Sequence, residues 1–317
     1  MTVSEHDASR PDRSLDAALW PRSFQPYLSD ALNQRPAGSA GKSGACKLTF
    51  AVAGAGRTQL QQSFVSHPFH LTRPWYLDPA LPGMAVVYVQ TPAGGLIQGD
   101  RATLQFNLGD TTHVHITNQA AEKIHSMTAN CALQSVSFVL GVGAYAEYCP
   151  EPVILFPRAR FGQQLRVQLG RQASFFFSEI FLIRGDVTQE PFEALSTSLT
   201  VTDATGDLLM REHSVALPLQ QRLTGPGVLD RYHVWGQAVL VGRSVTDSWA
   251  REIQGEIQEE SFPDTALVAG TTVLPGEYGV CVKVVGTQVP AVRRVLRRAW
   301  HGLRLRHLGV PAPDLPK

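Results

Sequence analysis

The sequence predicts a mainly β fold carrying two α-helices, and three observations predict it. Short segments alternate apolar and polar residues or concentrate β-branched and aromatic side chains, Gly, Pro, Asn or Asp punctuates most gaps, and only two stretches recur at helical spacing. With 44% apolar and 17% charged residues over 317 positions, the chain has too little charge for disorder and enough apolar surface for a sizeable core.

The strand-like segments begin with Leu48–Ala53, Gln59–Ser66, Met84–Gln90 and Ala102–Leu108. They continue with Thr111–Thr117, Leu133–Leu140, Gln164–Leu169 and Ser174–Ile183, and end with Leu195–Val201, Leu208–Leu217, Ala238–Val241 and Tyr278–Val285. The first helix is expected near 247–260, where Thr246 or Asp247 can cap and Trp249, Ile253 and Ile257 fall on one face. The second is expected near 291–307. There Val292, Val295, Leu296, Ala299 and Leu303 form a stripe among Arg293, Arg294, Arg297, Arg298, Arg304 and Arg306, Pro290 suits the start, and Gly309 with Pro311 suits the end. No repeat of roughly 20 to 50 residues is visible, so propellers and regular solenoids are not indicated. Residues 1–45 show no sustained period and read as a flexible tail; residues 46–317 read as one β-rich domain.

Charge and cysteine usage narrow the class. Lys plus Arg (28) balances Asp plus Glu (27), so no global field recruits nucleic acid or an anionic membrane. Cys46, Cys131, Cys149 and Cys281 lie far apart, with no C-x-x-C, which implies free thiols in a reducing, cytoplasmic setting. No apolar run approaches a membrane span or a signal-peptide core. Gly41-Lys42-Ser43 lacks the first glycine of a phosphate loop, since Pro36 stands there, and Arg184-Gly185-Asp186 reads as a turn. There is no G-x-S-x-G, H-E-x-x-H or paired-cysteine zinc spacing.

The residues that could carry chemistry are acids and histidines. Asp100 closes the glycine-rich turn Thr91-Pro-Ala-Gly-Gly-Leu-Ile-Gln-Gly-Asp100, either satisfying turn amides or facing a cation at a narrow opening. His113 and His115, two apart on a strand, point to one side; they either cover a solvated face or, with Glu122, His125 or Cys131, hold a transition metal. Glu147, Glu151, Glu179 and Glu212 lie in or beside apolar strands, where a carboxylate must be paired, hydrogen-bonded, water-lined or neutralised.

These segments together resemble the urease accessory proteins called UreD or UreH. The likeness runs through Arg73-Pro-Trp-Tyr76, Pro92-Ala-Gly-Gly-Leu-Ile-Gln-Gly-Asp100 and Ile116-Thr117 leading to Ala121-Glu-Lys123. It continues in Ala144-Tyr-Ala-Glu-Tyr-Cys-Pro-Glu-Pro-Val-Ile-Leu-Phe-Pro157, the Phe177–Gly185 strand with its internal acid, and Arg294-Val-Leu-Arg-Arg-Ala-Trp300. It departs from the family pattern at Gln98, at His125 in Lys123-Ile-His-Ser-Met127, and at Cys149-Pro-Glu-Pro152.

The resemblance implies a metallochaperone scaffold and not an enzyme, folded as a β-rich, helix-like stack of sheets. It implies binding to apo-urease and UreF, to the GTPase UreG through UreF, a homodimer within that complex, and nickel in transit through an internal tunnel with no tightly bound cofactor. By position, Asp100, Glu179 and Glu212 match acids of that tunnel, with His113 and His115 as further transient ligands. Arg73, Trp75, Tyr76, Lys123, Arg294, Arg298 and Trp300 match partner-facing positions. Two other readings compete: a binding module docking RNA or an acidic partner through the Arg-rich helix, and a β-rich enzyme using Glu147 and Glu151 as an acid/base pair.

Overall fold

A computed structural model describes residues 20–30, 41–183, 190–242, 245, 247–259 and 266–316. The chain enters through a short helix, α1 (Gln25–Ser29), followed by β1 (Ser43–Ala53), β2 (Arg57–Val65), β3 (His70–Leu71) and β4 (Ala85–Gln90). Three turns of a coil follow. The first comprises β5 (Arg101–Leu108), β6 (His113–Thr117) and β7 (Glu122–Ile124), and the second β8 (Ala132–Leu140), β9 (Tyr145–Tyr148) and β10 (Val153–Leu155). The third comprises β11 (Arg160–Leu169) and the long β12 (Ser174–Ile183), whose start pairs with β9 and whose end pairs with β10. After them come β13 (Ala194–Asp203), β14 (Leu208–Ala216), β15 (Val234–Val241), α2 (Asp247–Gln258), β16 (Leu267–Val273), β17 (Gly279–Gly286) and α3 (Val289–Leu308).

Corresponding strands of successive coils stack in parallel. Arg101 lies opposite Leu133, Ala132 opposite Phe161 and Arg160 opposite Ala194, so the coils are 32, 29 and 34 residues long. One wall is a seven-stranded sheet in the order β14-β13-β11-β8-β5-β1-β2. The other runs β16-β17-β15-β12-β9-β6-β4-β3, and β10 with β7 forms a narrow third wall. The molecule is therefore a β-solenoid-like stack, as the family resemblance implies, although a visible repeat is missing. What recurs is the parity of inward positions over coils of unequal length, with few shared identities, such as Leu108, Leu140 and Leu169 at the ends of β5, β8 and β11.

The interior between the walls is aromatic and aliphatic: Phe106, Phe138, Phe175, Phe177, Val114 and Ile116 are all buried there. Each fully buried side chain of this kind contributes roughly 1.5–3 kcal/mol. In β12 the even positions Phe176 and Ile180 pack outward beneath α3, while Phe175, Phe177 and Phe181 point inward. Burial on both faces explains why this strand reads as a continuous apolar run.

The two long helices fall where the periodicity places them, and α1 is a third, short one that no helical spacing announces. Ala250, Ile253 and Ile257 of α2 are buried, whereas Trp249 is only half-buried beside them. Helix α3 carries Pro290 in its first turn and ends at Gly309, whose φ of 72° is the left-handed conformation that suits glycine and whose N–H donates to Leu305. The span read as a tail contains ordered pieces. Trp20 and Phe24 are buried against Cys131, Leu133, Ala194 and Leu217, and β1 starts at Ser43. The Arg184-Gly185-Asp186 turn lies outside the described residues. No helix among the described residues is long and apolar enough to cross a membrane.

Candidate functional site

Two rows of polar side chains face each other inside the stack. On the seven-stranded wall, Gln134, Gln163, Thr197 and Ser214 occupy directly opposed positions on β8, β11, β13 and β14. On the other wall, Glu179, Gln237 and Lys283 do the same on β12, β15 and β17. The rows meet at Glu179, which accepts from Gln163 Nε2 at 2.8 Å and from Gln237 Nε2 at 2.7 Å. Beyond them the walls part around a cavity of about 970 Å³ lined by the polar residues Glu179, Thr197, Glu212, Ser214, Gln221, Arg222, Gln237 and Lys283 together with apolar ones. Lys283 Nζ donates to Glu212 Oε1 at 2.6 Å, joining the walls across this cavity.

Burial pushes the Glu179 carboxyl up to about 7, against the pull of the Gln237 and Gln163 donors. Glu212 adds to the rise and Lys283 opposes it. Such a group sits between its neutral and charged forms near neutral pH, and its supporting donors are amides with no charge of their own. At the other end of the interior, Glu122 accepts from Thr91 Oγ1 at 3.0 Å and lines a cavity of about 30 Å³ with Gln134 and Tyr148. Burial raises Glu122 to about 7 as well.

Of the acids singled out from sequence, Glu179 and Glu212 thus come together and Asp100 does not join them. Asp100 Oδ1 accepts from the backbone N–H of Gly41 and of Lys42, Oδ2 accepts from Ile97 N, and Lys42 Nζ pairs with Oδ2 at 2.9 Å. It ties the glycine-rich turn to the entry of β1, with its oxygens already occupied. Gly95, at φ 130°, lets that turn pack directly on β7, because a Cβ there would run into the Lys123 carbonyl.

His113 and His115 do point to one side, but it is the outer face beneath α3. Their neighbours Val114 and Ile116 face the interior. His115 Nδ1 bonds Glu147 Oε2 at 2.7 Å, and Tyr145 and Trp300 donate to Glu147 Oε1 at 2.8 and 3.0 Å. Burial opposes ionisation of Glu147, yet the His115 hydrogen bond and the charges of His115 and Arg304 hold its carboxyl below the usual range. Burial draws His113 down. Among the described residues no three His, Cys, Asp or Glu side chains converge as a metal cluster. Glu147 and Glu151 are not an acid/base pair: the first is engaged by the groups just named, and the second pairs with Arg293 at 2.6 Å.

The partner-facing positions divide. Trp75 is 41% exposed with Arg73 stacked over it at 4.9 Å, and Lys123 and Arg294 are exposed. Tyr76 is half-buried beneath Arg57 and donates to Thr58 O, and Arg298 pairs with Glu256. Trp300 is not a surface residue; it anchors α3 through Glu147. The Arg-rich face is largely paired, since Arg293, Arg297, Arg298, Arg304 and Arg306 each meet an acid. Arg304 is buried and Arg306 is shared by Glu252 and Glu256, so these two are not part of a free basic face.

Gln134, Gln163, Gln237 and Lys283 were not singled out from sequence as parts of a site, and Glu122 was named there only as a companion of the histidines, from which the structure separates it. Their signal is a polar residue at an inward position of an apolar strand, as Gln163 stands between Phe161 and Leu165. That signal is readable only once inward parity is known.

A sequence profile described as "UreD urease accessory protein" matches residues 42–316. The chain is 31% identical over 295 residues to the urease accessory protein UreD of Haloarcula marismortui, covering 92% of this chain and 96% of that one. It is 32% identical over 295 residues to that of Natronomonas pharaonis, with 92% and 97% covered. The protein of the same name from Photorhabdus laumondii is 31% identical over 291 residues, with 90% and 89% covered.

Proposed function

The chain belongs to the UreD family of urease accessory proteins, factors that assist urease and are not themselves enzymes, and we propose that it conducts nickel through the interior of its stack toward apo-urease. The observation that carries this reading is the meeting of the two polar rows at Glu179, a carboxylate only 6% exposed at the inner side of a 970 Å³ cavity.

The chemistry suits passage more than storage. Oxygen donors from one carboxylate and two amides make a weak set for a borderline divalent ion, without the thiolates that would hold it. Rotation about the soft terminal torsion of a glutamine exchanges its N–H₂ for its carbonyl oxygen. Gln163 and Gln237 can thereby brace the carboxylate when no cation is present and add ligands when one passes. The Gln134 position and Glu122 extend the polar track toward the opposite end of the interior.

In this reading the chain works in a complex with UreF, UreG through UreF, and apo-urease, as a homodimer, in the cytoplasm. The exposed Arg73–Trp75 stack, Lys123 and Arg294 are its partner contacts. The test is co-expression with a urease operon lacking its own UreD, scoring capture of UreF with apo-urease, and nickel content and activity of the urease. Restored activity, lost on Glu179→Gln while the complex still assembles, is the expected result. Assembly and full activation by Glu179→Gln would refute the conduit.

A further inference from the structure

The ion pair at the cavity holds more than the two walls together. Lys283 stands on β17 of the larger sheet and Glu212 on β14 at the edge of the other, so their 2.6 Å contact spans the opening between sheets. The Lys283 side chain is 62% exposed and that of Glu212 19%, whereas Glu179 behind them is 6% exposed. Lys283 is also the outermost member of the row Glu179–Gln237–Lys283, two strands or roughly 10 Å from the inner carboxylate. An ion approaching Glu179 from this side therefore meets Glu212 first, and finds it already occupied by an ammonium of the chain itself.

We propose that Lys283 is a tethered competitor cation that guards Glu212, so that only an ion of higher charge displaces it and enters the cavity. The inference rests on the conduit reading and adds its regulation. A lysine fits the task where an arginine would not. Its ammonium is a compact, well-hydrated point charge on a flexible stem, and it makes no bidentate fork that would lock the carboxylate. Because its side chain is 62% exposed, the ammonium can swing out into water and be hydrated there without displacing its neighbours. A monovalent ion offers Glu212 no more charge than the ammonium does; a divalent ion offers twice as much. Once the ion has moved inward, the ammonium returns and closes the way back.

The test titrates the full chain with Ni²⁺ alone and reads affinity by calorimetry or equilibrium dialysis. Lys283→Met removes the competitor and is expected to tighten Ni²⁺ binding by about tenfold or more, about 1.4 kcal/mol per tenfold. Lys283→Arg, which keeps the charge, stays near wild type, and Lys283→Met with Glu212→Gln loses the gain. Should the Met variant fold poorly, Lys283→Gln serves the same purpose. No tightening, or a gain that survives Glu212→Gln, overturns the proposal. The two readings separate cleanly when Glu179→Gln is scored for urease nickel content in parallel. A normal nickel content sinks the conduit while leaving a tightened Lys283→Met intact. A lowered content with no tightening sinks the competitor alone.

Discussion

Gln237 Nε2 donates to Glu179 Oε1 at 2.7 Å from the directly opposed position on the next strand, while the Gln237 amide oxygen is buried without a hydrogen-bond partner. A buried acceptor left unmet is worth about 1–3 kcal/mol of lost solvation. Here it lies beside the one carboxylate at the junction of both polar rows. The pair supports the carboxylate and keeps an oxygen in reserve.

Replacing that amide separates the two roles. Gln237→Leu takes away both the donor and the reserve oxygen, and urease nickel content is expected to fall several-fold with the complex intact. Gln237→Glu adds a second carboxylate, so Ni²⁺ is expected to remain on the chain during dialysis while delivery slows. Nickel content of both proteins after co-purification reads the two outcomes, and unchanged delivery by both variants would place Gln237 outside the route.

Asp100 behaves as a structural tie. Asp100→Ala leaves the Lys42 ammonium and three backbone N–H groups without their acceptor. Removing one partner of such a buried pair costs about 3 kcal/mol or more. A lowered melting temperature and lower soluble yield are expected, with Asp100→Asn milder because it still accepts from the amides. An unchanged melting curve together with poor nickel delivery would return Asp100 to the route.

Much of this architecture is legible in the chain itself. The alternating segments locate most of the long strands within a few residues, and the stripes of Ile253–Ile257 and Val292–Leu303 locate both long helices. The strands β7 and β10 escape because three residues show no alternation, although together they make the third wall. Glu179 is recognisable as an acid in an apolar strand. Its partners are not, because Gln163 and Gln237 come from strands whose inward parity is set by the stacking of coils. Asp100 and Trp300 are misleading for the same reason: sequence shows a carboxylate at a turn and an aromatic on a basic helix, and only packing shows what already occupies them.

The raised carboxyls give the fold a pH dependence of definite sign. Glu122 and Glu179 are both pushed to about 7, above the ordinary value near 4.5. Between those values the folded chain keeps protons that the unfolded chain has released, so stability falls as pH rises from about 4.5 to 7. Glu122→Gln removes its share, up to about 3 kcal/mol. Its melting temperature is expected to exceed the wild type near pH 8 and to match it near pH 5. Parallel curves at both pH values would show that Glu122 is solvated.

Glu147 acts in the opposite direction and on the other side of the wall. Burial disfavours its charge, but the His115 hydrogen bond, the nearby charges of His115 and Arg304, and the Trp300 N–H overcome that and lower its value. A group lowered on folding contributes stability above its unfolded value, which is lost as pH falls through the folded one. Glu147 also gathers His115, Tyr145 and Trp300, and Arg304 stands 3.6 Å away while pairing with Asp78. Glu147→Gln keeps the shape yet removes the charge that His115 and Arg304 face. Loss of a few kcal/mol at neutral pH is therefore expected, shrinking on acidification as the wild-type carboxyl also becomes protonated. Because Trp300 fastens α3 to this carboxylate, its fluorescence, taken as the difference from a Trp300→Phe chain that carries the other four tryptophans, reports the same event. A red-shifted emission in the variant at neutral pH would mark the helix loosening, whereas unaltered emission and stability would show that apolar packing alone holds α3 in place.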